Sequence, residues 1–123
     1  MQRQNYVVEE AAALASRLKH RLIKKNWTIS TAESCTGGMI SSLLTDISGA
    51  SAWFKQGWIV YSNESKMREL GVESPAFDEG GHGAVSHKVA VQMARGARYK
   101  SGSNISIAVT GIAGPGGSSE NKE

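Results

Sequence analysis

The amino-acid sequence predicts an α/β fold in which helices pack on a sheet. Segments rich in β-favouring residues alternate with segments whose apolar residues recur every three to four positions, in the order α-β-α-β-α-α-β. The first strand runs into a small-residue turn that opens a helix, Ser34-Cys35-Thr36-Gly37-Gly38. The strands of one parallel sheet bring such ends to a common edge, where α/β proteins bind ligands. At 123 residues the chain is sized for one domain, expected over residues 1–117 and followed by a polar tail at 118–123.

Each element has its own signal. Over residues 6–25, Val7, Ala11, Leu14, Leu18 and Leu22 mark an amphipathic helix. Trp27, Thr28, Ile29 and Thr31 predict a short strand over 27–32. After the turn, Met39, Ile40, Leu43, Leu44 and Ile47 fall at helical spacing, and Ser48-Gly49-Ala50-Ser51 closes that helix. A second strand is expected over 53–61, with Gly57 signalling a bulge or a close backbone approach. Ser62 or Asn63 caps a short helix through Leu70, and Gly71 supplies its left-handed stop. Residues 75–83 read as loop. Ser86 then caps a helix to about Lys100, with Val89, Met93 and Ala97 on its inner stripe and Gly102 at its end. The third strand, 105–110, alternates Ile105, Ile107 and Val109 with small residues and runs into a glycine-rich turn at 111–117. Three strands make a thin sheet, and nothing later in the sequence covers the flank of the last one, which is an association hazard.

Composition excludes several classes. The 14 Lys+Arg against 11 Asp+Glu leave a net charge of +3, too mild for a nucleic-acid footprint. Arg17, Lys19, Arg21, Lys24 and Lys25 scatter round the solvent side of the first helix, so nucleic acid is not an expected partner. The single cysteine, Cys35, rules out an internal disulfide framework, and no Cys/His set has metal-site spacing. The N-terminus lacks an apolar signal core and no apolar stretch approaches membrane-spanning length. A soluble cytoplasmic domain with no membrane partner is the expectation.

The chemistry-bearing residues collect at the predicted strand ends. Ser34 stands where helix N-terminal N–H groups converge, a place that suits a phosphate or the developing oxyanion of acyl transfer. An ordinary cap, with Thr36 capping and Ser34 merely polar, is the competing reading. Cys35 reads as a small buried hydrophobe rather than a nucleophile. Lys66 follows the second strand and can meet Ser34 across the shared edge as its general base, if desolvation lowers its pKa, with Tyr61 assisting by hydrogen bonding or proton relay. The alternative is a solvated lysine on a short helix. Thr110 and the 111–117 turn reach the same edge and offer a phosphate or sugar cradle. His82 reads equally as a ligand contact or a hydrogen-bonded turn residue, and His20 and His87 as superficial.

Taken together, Ala32-Glu33-Ser34-Cys35-Thr36-Gly37-Gly38, Tyr61-Ser62-Asn63-Glu64 with Lys66, His82-Gly83-Ala84-Val85-Ser86 and Thr110-Gly111-Ile112-Ala113-Gly114-Pro115 resemble the CinA C-terminal domain family. The resemblance runs from the first helix to Pro115. It implies a three-layer α/β/α fold with a mixed five-stranded sheet, reduced here to about three strands. It also implies hydrolysis of nicotinamide mononucleotide to nicotinate mononucleotide and ammonia, which recycles a by-product of bacterial NAD metabolism. Carried over, Ser34 is the candidate nucleophile, with Lys66 and Tyr61 handling protons. Thr36, Gly37, Gly38, Asn63, Thr110, Gly111 and Gly114 are the implied substrate-binding positions. Such chemistry needs an activated hydroxyl, backbone oxyanion donors, expected near Gly37, and a base, but no metal or other cofactor.

Family members continue past the Gly-Pro loop with two more strands and a final helix, and that stretch carries a basic residue that helps at the site. Here residues 118–123 are a polar stub. The expectations are therefore a fragment, a homo-oligomer whose partner subunit completes the sheet, or a short paralogue that binds a nucleotide or another subunit without turnover. The amino-terminal domain of CinA proteins has no counterpart in this sequence, so its pyrophosphatase activity is not carried over.

Overall fold

The structure, a computed structural model, describes residues 2–78 and 86–111, with side chains from residue 8 onward. Its elements are α1 (Gln2–Lys25), β1 (Ile29–Glu33), α2 (Met39–Thr45), β2 (Phe54–Ile59), α3 (Asn63–Leu70), α4 (His87–Ser101) and β3 (Ile105–Val109), with 3-10 turns at Ala50–Ala52 and Ser74–Phe77. His82, Gly114 and the polar tail lie outside the described residues.

The three strands form one parallel sheet in the order β2-β1-β3, so the first strand is central. Ala32 of β1 stands opposite Trp58 on one side and Ala108 on the other. The chain leaves β1 in one direction to reach β2, then returns past β1 to reach β3. Right-handed crossovers that run in opposite directions must use opposite faces of a sheet. Accordingly α1 and α2 cover one face, around Ala15, Leu22, Ile29, Leu44 and Trp53. The helices α3 and α4 cover the other, around Ala32, Val60, Leu70, Val89, Met93 and Ala97. The result is the three-layer α/β/α arrangement.

The expected stripe of α4 is fully buried: Val89, Met93 and Ala97 each have no exposed surface. On α1 the buried line runs through Ala15 and Leu22, one residue round from the expected Leu14, which stays 56% exposed. Asn26, in the left-handed region at φ 56°, turns the chain off α1 and delays the first strand to Ile29. Trp27, expected in that strand, lies instead beneath the Lys25 ammonium, 4.8 Å from its ring centroid. Ser62 rather than Asn63 caps α3, accepting from the Ser65 N–H, and Ser86 caps α4 as expected. In β2 the register skips from Phe54 to Gln56, so the bulge is at Lys55. Gly57 marks a close approach instead: a Cβ there would lie 2.6 Å from Thr31 Oγ1 and 2.9 Å from Ser41 Oγ.

Candidate active site

Because β1 is flanked on both sides, its C-terminal end opens onto the crevice between β2 and β3, the usual ligand position in such sheets. Ser34, the first residue beyond β1, is tied there by its N–H to the Val109 carbonyl at 3.0 Å. On the other side the Val60 N–H reaches the Glu33 carbonyl at 2.8 Å. The capped first turn of α3 then carries Lys66 inward, and its Nζ donates to Ser34 Oγ at 3.0 Å and to the Tyr61 carbonyl at 2.9 Å. Ser34 is 4% exposed and Lys66 1%, so this hydroxyl and amine meet in a desolvated place.

Among the described residues no carboxylate pairs with Lys66. Burial pushes its ammonium below the ordinary lysine range, partly opposed by the neighbouring Cys35. The Ser34 hydroxyl, 3.0 Å from this amine, here donates to the Tyr61 carbonyl at 3.4 Å, and the amine in its neutral form would offer it a lone pair. That is the requirement for a base that activates a hydroxyl.

The other expected site residues fall into place unevenly. Tyr61 contributes its carbonyl to the Lys66 amine, while its side chain is 69% exposed. Asn63 is exposed on the first turn of α3. Thr110, half-buried, follows the end of β3, and Gly111 packs beside Cys35, whose Sγ would lie 3.4 Å from a Cβ at that glycine. Cys35 itself is half-buried and unpaired in any disulfide. His20 and His87 are exposed, as expected.

The donors expected near Gly37 divide into engaged and open groups. The Gly37 N–H closes the turn on the Ser34 carbonyl at 3.1 Å and is not free for an oxyanion. The backbone N–H groups of Ile40 and Ser41, in the first turn of α2, are also taken, at 2.8 and 2.9 Å, by the two carboxylate oxygens of Glu33. The N–H groups of Cys35 and Thr36 meet no acceptor among the described residues. The Gly38 N–H likewise meets no acceptor among the described residues, so the available donors stand on both sides of Gly37. Gly38, at φ 107°, caps α2 without a side chain and has Ile59 Cδ1 3.1 Å from where a Cβ would be.

Glu33 is the site-building residue that the sequence reading missed. It is 1% exposed and accepts from Thr36 Oγ1 at 2.7 Å and from Ser41 Oγ at 2.5 Å as well as from the two backbone groups. Burial raises its carboxyl pKa, but the bonds from Ser41, Thr36 and Ile40 outweigh that, and it titrates below the ordinary carboxylate range. A signal was present. An acidic residue closing an otherwise uncharged strand, a few positions before a helix, has to find donors when buried.

Fold and site together define an α/β/α domain with a buried Ser–Lys pair at the C-terminal edge of a parallel sheet. The family profile of the CinA C-terminal domain matches residues 11–123, and the chain belongs to that family. It is 47% identical over 116 residues to the nicotinamide-nucleotide amidohydrolase PncC of Shewanella oneidensis, covering 94% of this chain and 27% of that protein. A CinA-like protein of Geotalea daltonii is 54% identical over 99 residues, covering 80% of this chain and 24% of that one. Among solved structures, the competence/damage-inducible protein CihA of Agrobacterium tumefaciens superposes with a TM-score of 0.85 at 46% identity, covering 91% of this chain and 67% of that one. A CinA-superfamily protein of Escherichia coli gives 0.84 at 35% identity, covering 91% of this chain and 64% of that one. The chain therefore spans about a quarter of the length of the curated relatives it matches.

Proposed function

We propose that the chain is a nicotinamide-nucleotide amidohydrolase, releasing ammonia from nicotinamide mononucleotide through a Ser34 nucleophile and a Lys66 base. The observation that carries the reading is the 3.0 Å contact between Lys66 Nζ and Ser34 Oγ, both buried. The name of the Shewanella oneidensis relative supplies the substrate class. In this mechanism neutral Lys66 takes the Ser34 proton as Oγ attacks the amide carbon. The Cys35 and Thr36 N–H groups face the developing oxyanion. As the C–N bond breaks, Lys66 returns the proton to the departing nitrogen, which leaves as ammonia. The acyl ester on Ser34 is then attacked by a water that gives a proton to Lys66, and Lys66 passes that proton to the departing Ser34 Oγ, freeing the Ser34 hydroxyl and the acid product, nicotinate mononucleotide. Tyr61 serves chiefly through the carbonyl that orients the amine.

The test is ammonia release from nicotinamide mononucleotide by the chain and by Ser34→Ala, with folding checked by circular dichroism. Turnover is expected for the parent and loss of about three orders of magnitude for the variant. Equal release by both would remove Ser34 from the nucleophile's role. Calorimetric binding of the nucleotide without turnover by the parent would favour a nucleotide-binding module over an enzyme.

A further inference from the structure

Glu33, one residue before the candidate nucleophile, carries a full set of hydrogen bonds, and among the described residues none of its partners is a cation. A buried carboxylate is costly to keep, and one held only by neutral donors adds no ion-pair energy in return. Three elements converge on it. The Ser41 hydroxyl of α2 donates to Glu33, leaving the Thr31 hydroxyl of β1 to donate to Ser41 at 2.7 Å. Gly57 of β2 leaves the space that these two hydroxyls occupy. The Thr36 hydroxyl, in the turn itself, is also spent on the carboxylate.

We infer that Glu33 is a positioning residue for the Ser34 site. Its carboxylate pins the middle of the 34–38 turn through Thr36 and the first turn of α2, which follows it, through Ile40 and Ser41. Ser34 Oγ is thereby held against Lys66 Nζ while the Cys35 and Thr36 N–H groups stay open. By occupying the start of α2 it also turns anionic groups of a substrate away from the Ile40 and Ser41 N–H groups, so that end of the helix is not where a phosphate rests. The kinetic part of this inference rests on the amidohydrolase reading; the geometric part does not.

The experiment pairs two readouts on the full chain carrying Glu33→Gln, which keeps the shape but places an amide donor against donors. The first is covalent labelling of Ser34 by an alkyl fluorophosphonate, which needs an activated serine but no particular substrate. The second is steady-state ammonia release from nicotinamide mononucleotide. Labelling and kcat are expected to fall about tenfold or more, with KM within about two-fold and the pH inflection unmoved. If Glu33→Gln does not fold, Ser41→Ala removes one donor and the Thr31 relay, and is expected to give a smaller loss of the same kind, about three-fold or more. Ser34 labelling and kcat within about two-fold of the parent in a folded variant, or a loss confined to KM, would overturn the inference. So would a parent chain whose Ser34 does not label. If the parent releases no ammonia yet labels at Ser34, and Glu33→Gln slows that labelling, the substrate reading falls and the positioning role stands.

Discussion

Replacing Lys66 by methionine separates catalysis from stability, because the two should move in opposite directions. The amine makes two hydrogen bonds, at 3.0 and 2.9 Å, and their loss costs about 1–3 kcal/mol in all. Against this, a lysine buried without an ion-pair partner must either bury its charge or give up its proton, a penalty of roughly several kcal/mol that the methionine does not carry. Lys66 is depressed by burial, so its folded pKa lies below its unfolded one. Between the two values the unfolded chain holds the extra proton, and the parent's stability rises with pH across that window. Near neutrality Lys66→Met should therefore be as stable as the parent or more so, by about 1–2 kcal/mol. That advantage should shrink as pH climbs toward the ordinary lysine value. Activity should fall by about two to four orders of magnitude, the range for losing a general base. Urea unfolding at several pH values, read beside ammonia release, checks both. A variant that keeps near-parental turnover, or one that unfolds much more easily near neutrality, would refute the reasoning.

Three further outcomes are expected. Tyr61→Phe should reduce turnover by about tenfold at most, since the Tyr61 group held by Lys66 is the backbone carbonyl; a loss as deep as that of Lys66→Met would return the phenol to proton transfer. Gly96→Ala should destabilise by about 3 kcal/mol or more in thermal melts, because its Cβ would stand 2.0 Å from the Leu70 carbonyl oxygen across the α3–α4 contact. For Glu33, a carboxyl held below the ordinary range stabilises fully above that range and loses its contribution as pH falls through its folded value. The stability gap between parent and Glu33→Gln, measured by urea unfolding, should accordingly close on acidification rather than widen.

Much of this architecture is written in short-range signals. The α4 stripe is legible because Val89, Met93 and Ala97 repeat at helical spacing and face one uninterrupted core. Gly71 and Gly102 end their helices as composition suggests. The pairing of Ser34 with Lys66 follows from topology, since parallel strands deliver their ends to one edge. What periodicity does not carry is rotation and partner choice. The inner line of α1 depends on where α2 sits, which shifts burial from Leu14 to Ala15. Glu33 illustrates the same gap at the site. Its role comes from donors on α2 and in the turn, which only folding brings to one carboxylate. Backbone donors are expected near Gly37, but which of them stay open is decided by the turn's own closure, which takes the Gly37 N–H, and no composition rule records that competition.

The central claim is that Ser34, and not its neighbour Cys35, forms the covalent intermediate. Acid quench of the chain during turnover of nicotinamide mononucleotide, followed by peptide mass spectrometry, addresses it directly. The account predicts an acyl ester, with the mass of nicotinate mononucleotide less water, on the Ser34 hydroxyl. An adduct on the Cys35 thiol would contradict it.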